Sequence, residues 1–332
     1  MLLAKRRALW SLCLLLILLG TSCSKKIEPA KEGKNDQPAQ DVKPLSEWIK
    51  QMEDSDASKR RRAAWALGDQ RPLGDQRPHS PEAVAPLIRG LRDEDAEVRV
   101  MSAQSLGWLG PIAKDAVPAL IDYLKDDKDA ANRWVAIQSL GHIGPDAKEA
   151  IPTLIELLKK ETGVTRGNAA RALGQIGPEA KAAVPVLMAY LQENDEAARS
   201  IAAVALGQIG PDAREAVPAL IVVVRGGGAT CSSAIKALGE IGPDAKTAVP
   251  VLRDVMNDKA KEPQVWPPLW VAAARALAAI DTAEAKPAVP NLIALVRQYK
   301  NRSRGDVKSS QTYYAASEAL KAIDSEAAAK ER

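Results

Sequence analysis

The residues best able to do chemistry in this chain are few and badly spaced for it. Histidine occurs twice, at His79 and His142, with no second ligand at helical spacing and no cluster of cysteines beside either, so no metal site is expected. Gly226-Gly227-Gly228 is the nearest approach to a glycine loop. It lacks a following phosphate-binding lysine and a preceding strand, and it reads as a flexible turn. Cys231 has no evident histidine to deprotonate it, and a small side chain packed at a helix start suits it better than a nucleophile. No serine sits in a nucleophile elbow. The expectation is a protein with no catalytic residue, no cofactor and no metal.

What must position any functional residue is a repeated unit. The stretch Ile201 to Leu220, IAAVALGQIGPDAREAVPAL, has near copies from Gln138 (QSLGHIGPDAKEAIPTL), Arg171 (RALGQIGPEAKAAVPVL) and Lys236 (KALGEIGPDAKTAVPVL). A leucine marks each copy, at Leu67, Leu106, Leu140, Leu173, Leu206, Leu238, Leu277 and Leu320, with intervals of 34, 33, 33 and 32 in the middle. Periods of this size mean stacked units sharing one elongated core. In the third unit Val117, Leu120, Ile121 and Leu124 fall on one face of a first helix, and Ala136, Ile137, Leu140 and Ile143 on one face of a second. The second helix stops at Gly144-Pro145, a glycine able to close a helix and a proline unable to continue it. Longer intervals arise from a duplicated LGDQRP after Leu67 and from insertions around Lys259 to Pro268 and Asn301 to Ser310.

These units resemble HEAT repeats in their short bacterial form, which includes the phycobilisome-lyase-like repeats. The matching elements are a proline early in the first helix (Pro118, Pro152, Pro185, Pro218, Pro250, Pro290), an acidic residue in the turn, an arginine opening the second helix and ALG near its end. The resemblance covers Pro44 to Asp324 and implies an all-α solenoid of about eight antiparallel helix pairs. It also implies that Arg60, Arg99, Arg133, Arg166 and Arg199, each seven residues before its leucine, pair with turn acids such as Asp54, Asp93, Asp126, Glu161 and Asp195 in a structural ladder. The ladder stops where Cys231, Trp270 and Tyr313 take the arginine's place. The histidine-glutamate iron sites of some HEAT-type hydroxylases have no counterpart in a chain with two histidines.

With the inward set fixed, positions five and two before the leucine and two after it form an outward ridge on the second helix, the helix that lines the concave side in HEAT-type stacks. In the first three units the ridge reads Arg62, Trp65 and Asp69; Met101, Gln104 and Trp108; Val135, Gln138 and His142. Later units present Asn168, Arg171 and Gln175; Ile201, Val204 and Gln208; Ser233, Lys236 and Glu240. Trp134 stands beside the ridge, so the first three units gather large apolar side chains where a partner could anchor. The alternative is that these tryptophans fold over the seams between repeats as local core. Trp48, in a first-helix stripe with Leu45, Ile49 and Met52, reads as core.

The N-terminus carries a separate message. Lys5, Arg6 and Arg7 precede an apolar run from Ala8 to Gly20 and then Thr21-Ser22-Cys23, the layout of a secretory signal peptide and too short for a comfortable membrane span. The end, LLGTSC, resembles the lipobox of bacterial lipoproteins, in which the cysteine is acylated. An ordinary cleaved signal with an incidental Cys23 is the alternative. Residues 1–22 are thus read as signal, 23–43 as a polar tether rich in Lys, Glu, Pro and Gln, 44–324 as solenoid and 325–332 as a polar tail. The chain's 46 Lys and Arg against 42 Asp and Glu give +4. Three of those cations lie in the signal, so the remainder is close to neutral and nucleic acid is not an expected partner. The reading is an exported, lipid-anchored, non-catalytic scaffold for a protein or peptide partner at the cell envelope. The alternative class is a lyase-like enzyme or a small-molecule or pigment-binding HEAT protein, which needs a deep pocket that this ridge of Gln, Ala and Val does not suggest.

Overall fold

The structure, a computed structural model, describes residues 43–69, 80–126, 132–257, 268–300 and 307–331, with the side chains of 307–309 left aside. The expected signal, most of the tether, Cys23, His79, the LGDQRP copies beyond Asp69 and the bulk of the two late insertions lie outside these residues. Every regular element described is helical. Eight pairs follow one another: α1 (Leu45–Gln51) with α2 (Ala57–Gly68), α3 (Val84–Gly90) with α4 (Ala96–Leu109), α5 (Val117–Lys125) with α6 (Arg133–Ile143), and α7 (Ile151–Lys160) with α8 (Gly163–Ile176). Then come α9 (Val184–Leu191) with α10 (Glu196–Ile209), α11 (Val217–Gly226) with α12 (Thr230–Ile241), α13 (Val249–Asn257) with α14 (Leu269–Ile280), and α15 (Val289–Lys300) with α16 (Val307–Ile323).

The inward stripes are where the period places them. Ala136, Ile137, Leu140 and Ile143 are fully buried, as are Leu106, Leu173, Leu206, Leu238 and Leu277. On the first helix Val117, Leu120 and Leu124 are buried, and Ile121 is packed against the core at its edge. Truncating one such leucine to alanine removes packed methylenes and costs roughly 2–5 kcal/mol in other cores. The turn acids begin the second helices: Asp56 accepts from the Ser58 N–H at 2.8 Å, Asp95 from Val98 at 3.0 Å and Asp195 from Ala197 at 2.9 Å. Each satisfies one of the orphan donors of a helix start.

The sequence reading took Gly-Pro as a direct join between one pair and the next. The structure instead inserts a seven-residue segment of 3-10 turns kinked at its fourth residue, as in Gly144–Ala150, Gly177–Ala183 and Gly210–Ala216. Ala147 sits at the kink with a non-helical backbone (φ −87°, ψ 18°), and both it and Ala150 at the segment's end are fully buried. Each segment opens on a glycine in the left-handed half of φ/ψ space, for example Gly177 at φ +80°. These segments pack on one another and add a third column to the stack.

Consecutive second helices lie against one another along their lengths, whereas consecutive first helices scarcely touch. Small residues make this approach possible. A Cβ on Gly174 would stand 2.7 Å from the Ala205 Cα, one on Gly207 2.8 Å from the Ala237 Cα, and one on Gly107 2.9 Å from the Ser139 Cα. In the first six repeats the glycine after the leucine therefore receives the residue that precedes the next leucine. In the early repeats that residue is a serine and the seam is also hydrogen-bonded: Ser105 Oγ donates to the Ala64 carbonyl at 2.8 Å, and Ser139 Oγ to the Ala103 carbonyl at 2.7 Å.

Residues 325–332, expected as a polar tail, are helical through Glu331 in α17 (Ser325–Glu331). Asp324 caps it, accepting from the Ala327 N–H at 2.9 Å. Its far end is tied to α15, where Arg297 Nε and Nη2 donate to the two Glu331 oxygens at 2.8 and 2.6 Å. That paired hydrogen bond holds the Glu331 carboxyl below its ordinary pKa.

Candidate partner-binding face

The face that could meet a partner is built by the second helices, and its edge is fixed by the arginines. Arg60, at the start of α2, donates through Nη1 to the Asp54 and Ser55 carbonyls of its own turn at 2.9 and 3.1 Å. Its other side forks onto Asp93 in the next repeat, Nε to Oδ2 at 2.7 Å and Nη2 to Oδ1 at 2.8 Å. One guanidinium thus satisfies carbonyls within a repeat and a carboxylate across the seam. Burial opposes the Asp93 charge, but hydrogen bonds from Arg60 and the Asp95 N–H outweigh it and lower the carboxyl pKa. The Arg60 guanidinium is correspondingly held more firmly protonated by Asp93.

The pattern continues with local changes. Arg99 Nη1 donates to the Asp93 and Glu94 carbonyls at 2.8 and 3.0 Å, and Arg133 Nη1 reaches Glu161 at 3.3 Å. Arg166 bonds the Leu158 carbonyl at 2.9 Å, meets Glu193 at 2.6 Å and lies over the Tyr190 ring. Arg199 donates to the Glu193 carbonyl at 3.0 Å. Two pairings differ from those expected. Asp54 takes Lys59 as its salt bridge, offering Arg60 only its carbonyl, and Asp195 is spent capping α10 while Glu193 receives Arg166. At the sixth repeat the thiol of Cys231 points to the Val224 carbonyl at 3.7 Å. There Glu196 reaches forward instead, accepting from the Ala229 N–H at 2.8 Å.

On the ridge, Arg62, Gln138 and His142 are exposed, and Met101, Gln104 and Trp108 are half-buried. Trp65 is 38% exposed and Trp134 36%. Trp48 is core, with the Arg62 guanidinium 5.9 Å and the Lys43 amine 5.3 Å from its ring centroid. Val135, read as a ridge residue, is instead buried at 3%, and Asn168 at 5%. The reason lies in the register between helices. Ser200 bonds Ser233 at 2.8 Å, and the Ile201 side chain covers Gly167. Position five before the leucine therefore leans on the preceding second helix rather than outward. The seam closes over Val135, whereas Arg62 has no preceding repeat of this kind. The outward ridge is thus narrower than the sequence suggested, consisting of positions two before and two after the leucine.

At the end of the second helices the structure adds a feature that periodicity alone did not single out. A shallow groove of about 600 Å³ crosses repeats two to five, floored by Pro111, Pro145 and Pro178 and walled by His142, Gln175 and Gln208. Among the described residues no group of three or more His, Cys, Asp or Glu side chains could hold a metal ion.

Comparison with known proteins agrees with this architecture. The family model for HEAT repeats matches residues 45–141, 117–207 and 151–227, which together cover more than half of the chain. The chain belongs to the HEAT-repeat family. The HEAT stack is similar to the crystal structure of an engineered protein, with a TM-score of 0.52 and 23% identity over 86% of this chain and 80% of that one. The complex of CpcE and CpcF of phycocyanin lyase from Nostoc sp. aligns at a TM-score of 0.46 and 24% identity, covering 91% of this chain and 100% of that one. A chain from a study of the phosphorylation-controlled interaction between cadherin and β-catenin aligns at 0.47 and 14% identity, over 84% of this HEAT protein and 60% of that chain. No curated protein gave a match. These likenesses speak to fold, not to activity.

Proposed function

We propose that this HEAT protein is a non-catalytic scaffold that binds a protein or peptide partner along the face of its second helices. The observation that carries the reading is the pair of exposed indoles, Trp65 and Trp134, on a face that also presents the half-buried Met101 and Trp108. Exposed aromatics on a rigid surface bring large contact area at small entropic cost, which is why such residues dominate interface energetics. Many weak contacts along the stack supply the rest.

The expected result is that Trp65→Ala with Trp134→Ala weakens capture of the native partner by at least about tenfold while leaving helicity and melting unchanged. A lowered melting temperature with capture intact would return both indoles to the local-core reading. The scaffold is further proposed to be exported and held at the cell envelope through acylated Cys23, on the strength of the n-region, apolar run and cysteine at the N-terminus. Fatty-acid labelling of the expressed protein should vanish in Cys23→Ala, and labelling that persists would remove the anchor.

A further inference from the structure

The narrowed ridge and the groove have a common chemistry. Gln138, Gln175 and Gln208 are exposed, and none of their carboxamides makes a hydrogen bond among the described residues. Gln175 lies over Gly141 and Gln208 over Gly174, so these two amides, each two positions after its leucine, sit on the backbone of the preceding helix, while Gln138 stands one helical turn before His142 on the neighbouring row. A carboxamide offers one acceptor and a donor pair, the complement of a peptide unit. The same groove is lined by a proline per repeat, Pro111, Pro145 and Pro178, apolar and without backbone N–H groups.

Spacing and charge narrow the occupant. Helices seamed through Gly and Ala sit roughly 8–10 Å apart. A polyproline-II chain advances about 3.1 Å per residue with three residues per turn, about 9 Å. Laid across the helices, it returns the same face once per repeat. From Gln104 to Gln208 the two outward rows hold no carboxylate and one full cation, Arg171, which is exposed and makes no ion pair or hydrogen bond among the described residues. Farther on, Arg275 is equally open, and the acid Glu240 is tied to Lys236 at 3.5 Å.

We infer that the groove takes an extended acidic peptide segment of polyproline-II geometry, its backbone against the Gln175 and Gln208 carboxamides and a carboxylate against Arg171. This rests on the scaffold reading and specifies the partner's recognised segment. The test is fluorescence anisotropy of the full chain with three labelled, end-capped peptides, (Glu-Pro-Pro)4, (Gln-Pro-Pro)4 and (Lys-Pro-Pro)4. The acidic probe should bind best and weaken with salt. Arg171→Gln should weaken it about fivefold, the upper range for an exposed ion pair, and Gln175→Ala with Gln208→Ala about tenfold. Both variants should melt as wild type, because all three side chains are exposed. Equal binding of the three probes, no binding of the acidic one, or an Arg171→Gln variant indistinguishable from wild type would overturn the inference. If the acidic probe fails while the double tryptophan variant still loses its partner, the scaffold reading stands and only the acidic segment is removed.

Discussion

Gly174→Ala should destabilise the solenoid by about 2 kcal/mol, the opposite sign to the same change in an ordinary helix. Alanine in place of glycine in a helix interior normally gains about 1 kcal/mol. Here the new Cβ would stand 2.7 Å from the Ala205 Cα and 3.0 Å from its Cβ. The Gln208 side chain can swing aside, but the α10 backbone cannot move without opening the seam, and overpacking of this kind costs roughly 1–3 kcal/mol and occasionally more. Gly226→Ala is the control, since a Cβ there meets nothing within 4 Å. It should be neutral or stabilising by up to about 1 kcal/mol. Urea midpoints of the two variants decide the matter, and equal midpoints would mean that the glycine row is not what sets the helix spacing.

Arg60→Ala should cost about 3 kcal/mol locally, because it strands a carboxylate whose side chain is only 12% exposed. The loss should appear as faster hydrogen exchange in α1 and α2, the terminal pair that Arg60 ties to its neighbour, before it appears globally. Arg60→Lys should recover only part of it, since an ammonium keeps the charge but loses the fork. The pH dependence has a definite sign. Asp93 has a folded pKa below that of an unperturbed aspartate, about 3.9, so its contribution is fully present above that value and is lost as pH falls through the folded pKa. The gap between wild type and Arg60→Ala should therefore be widest near neutrality and close in acid. A gap that widens below pH 4 would contradict the assignment.

Most of the fold was legible because its causes are local and repeated. Leu140 and Ile143 declare an inward face by spacing alone, and Gly144-Pro145 declares a boundary. The 3-10 column is not legible in the sequence because its buried positions, Ala147 and Ala150, are alanines, which signal no particular face. The purpose of the glycine in ALG was also hidden, since it depends on the Ala205 backbone, 31 positions farther along the chain. Val135 was misplaced for a related reason: register within a helix says which way a side chain points, but the Ser200–Ser233 contact, which shows how one helix sits on the next, is visible only in three dimensions. Arg166 pairs with Glu193, which stands as far before Leu206 as Asp93 does before Leu106, while Asp195 caps the helix start.

The proposed function divides the labour: residues shared among copies hold the stack, and residues peculiar to one copy meet the partner. Its most direct test measures melting and partner capture together on Gly174→Ala and on Trp65→Ala with Trp134→Ala. The glycine variant should melt early yet capture its partner when folded, and the tryptophan variant should melt as wild type and capture little. A tryptophan variant that melts early, or that captures as well as wild type, would contradict it.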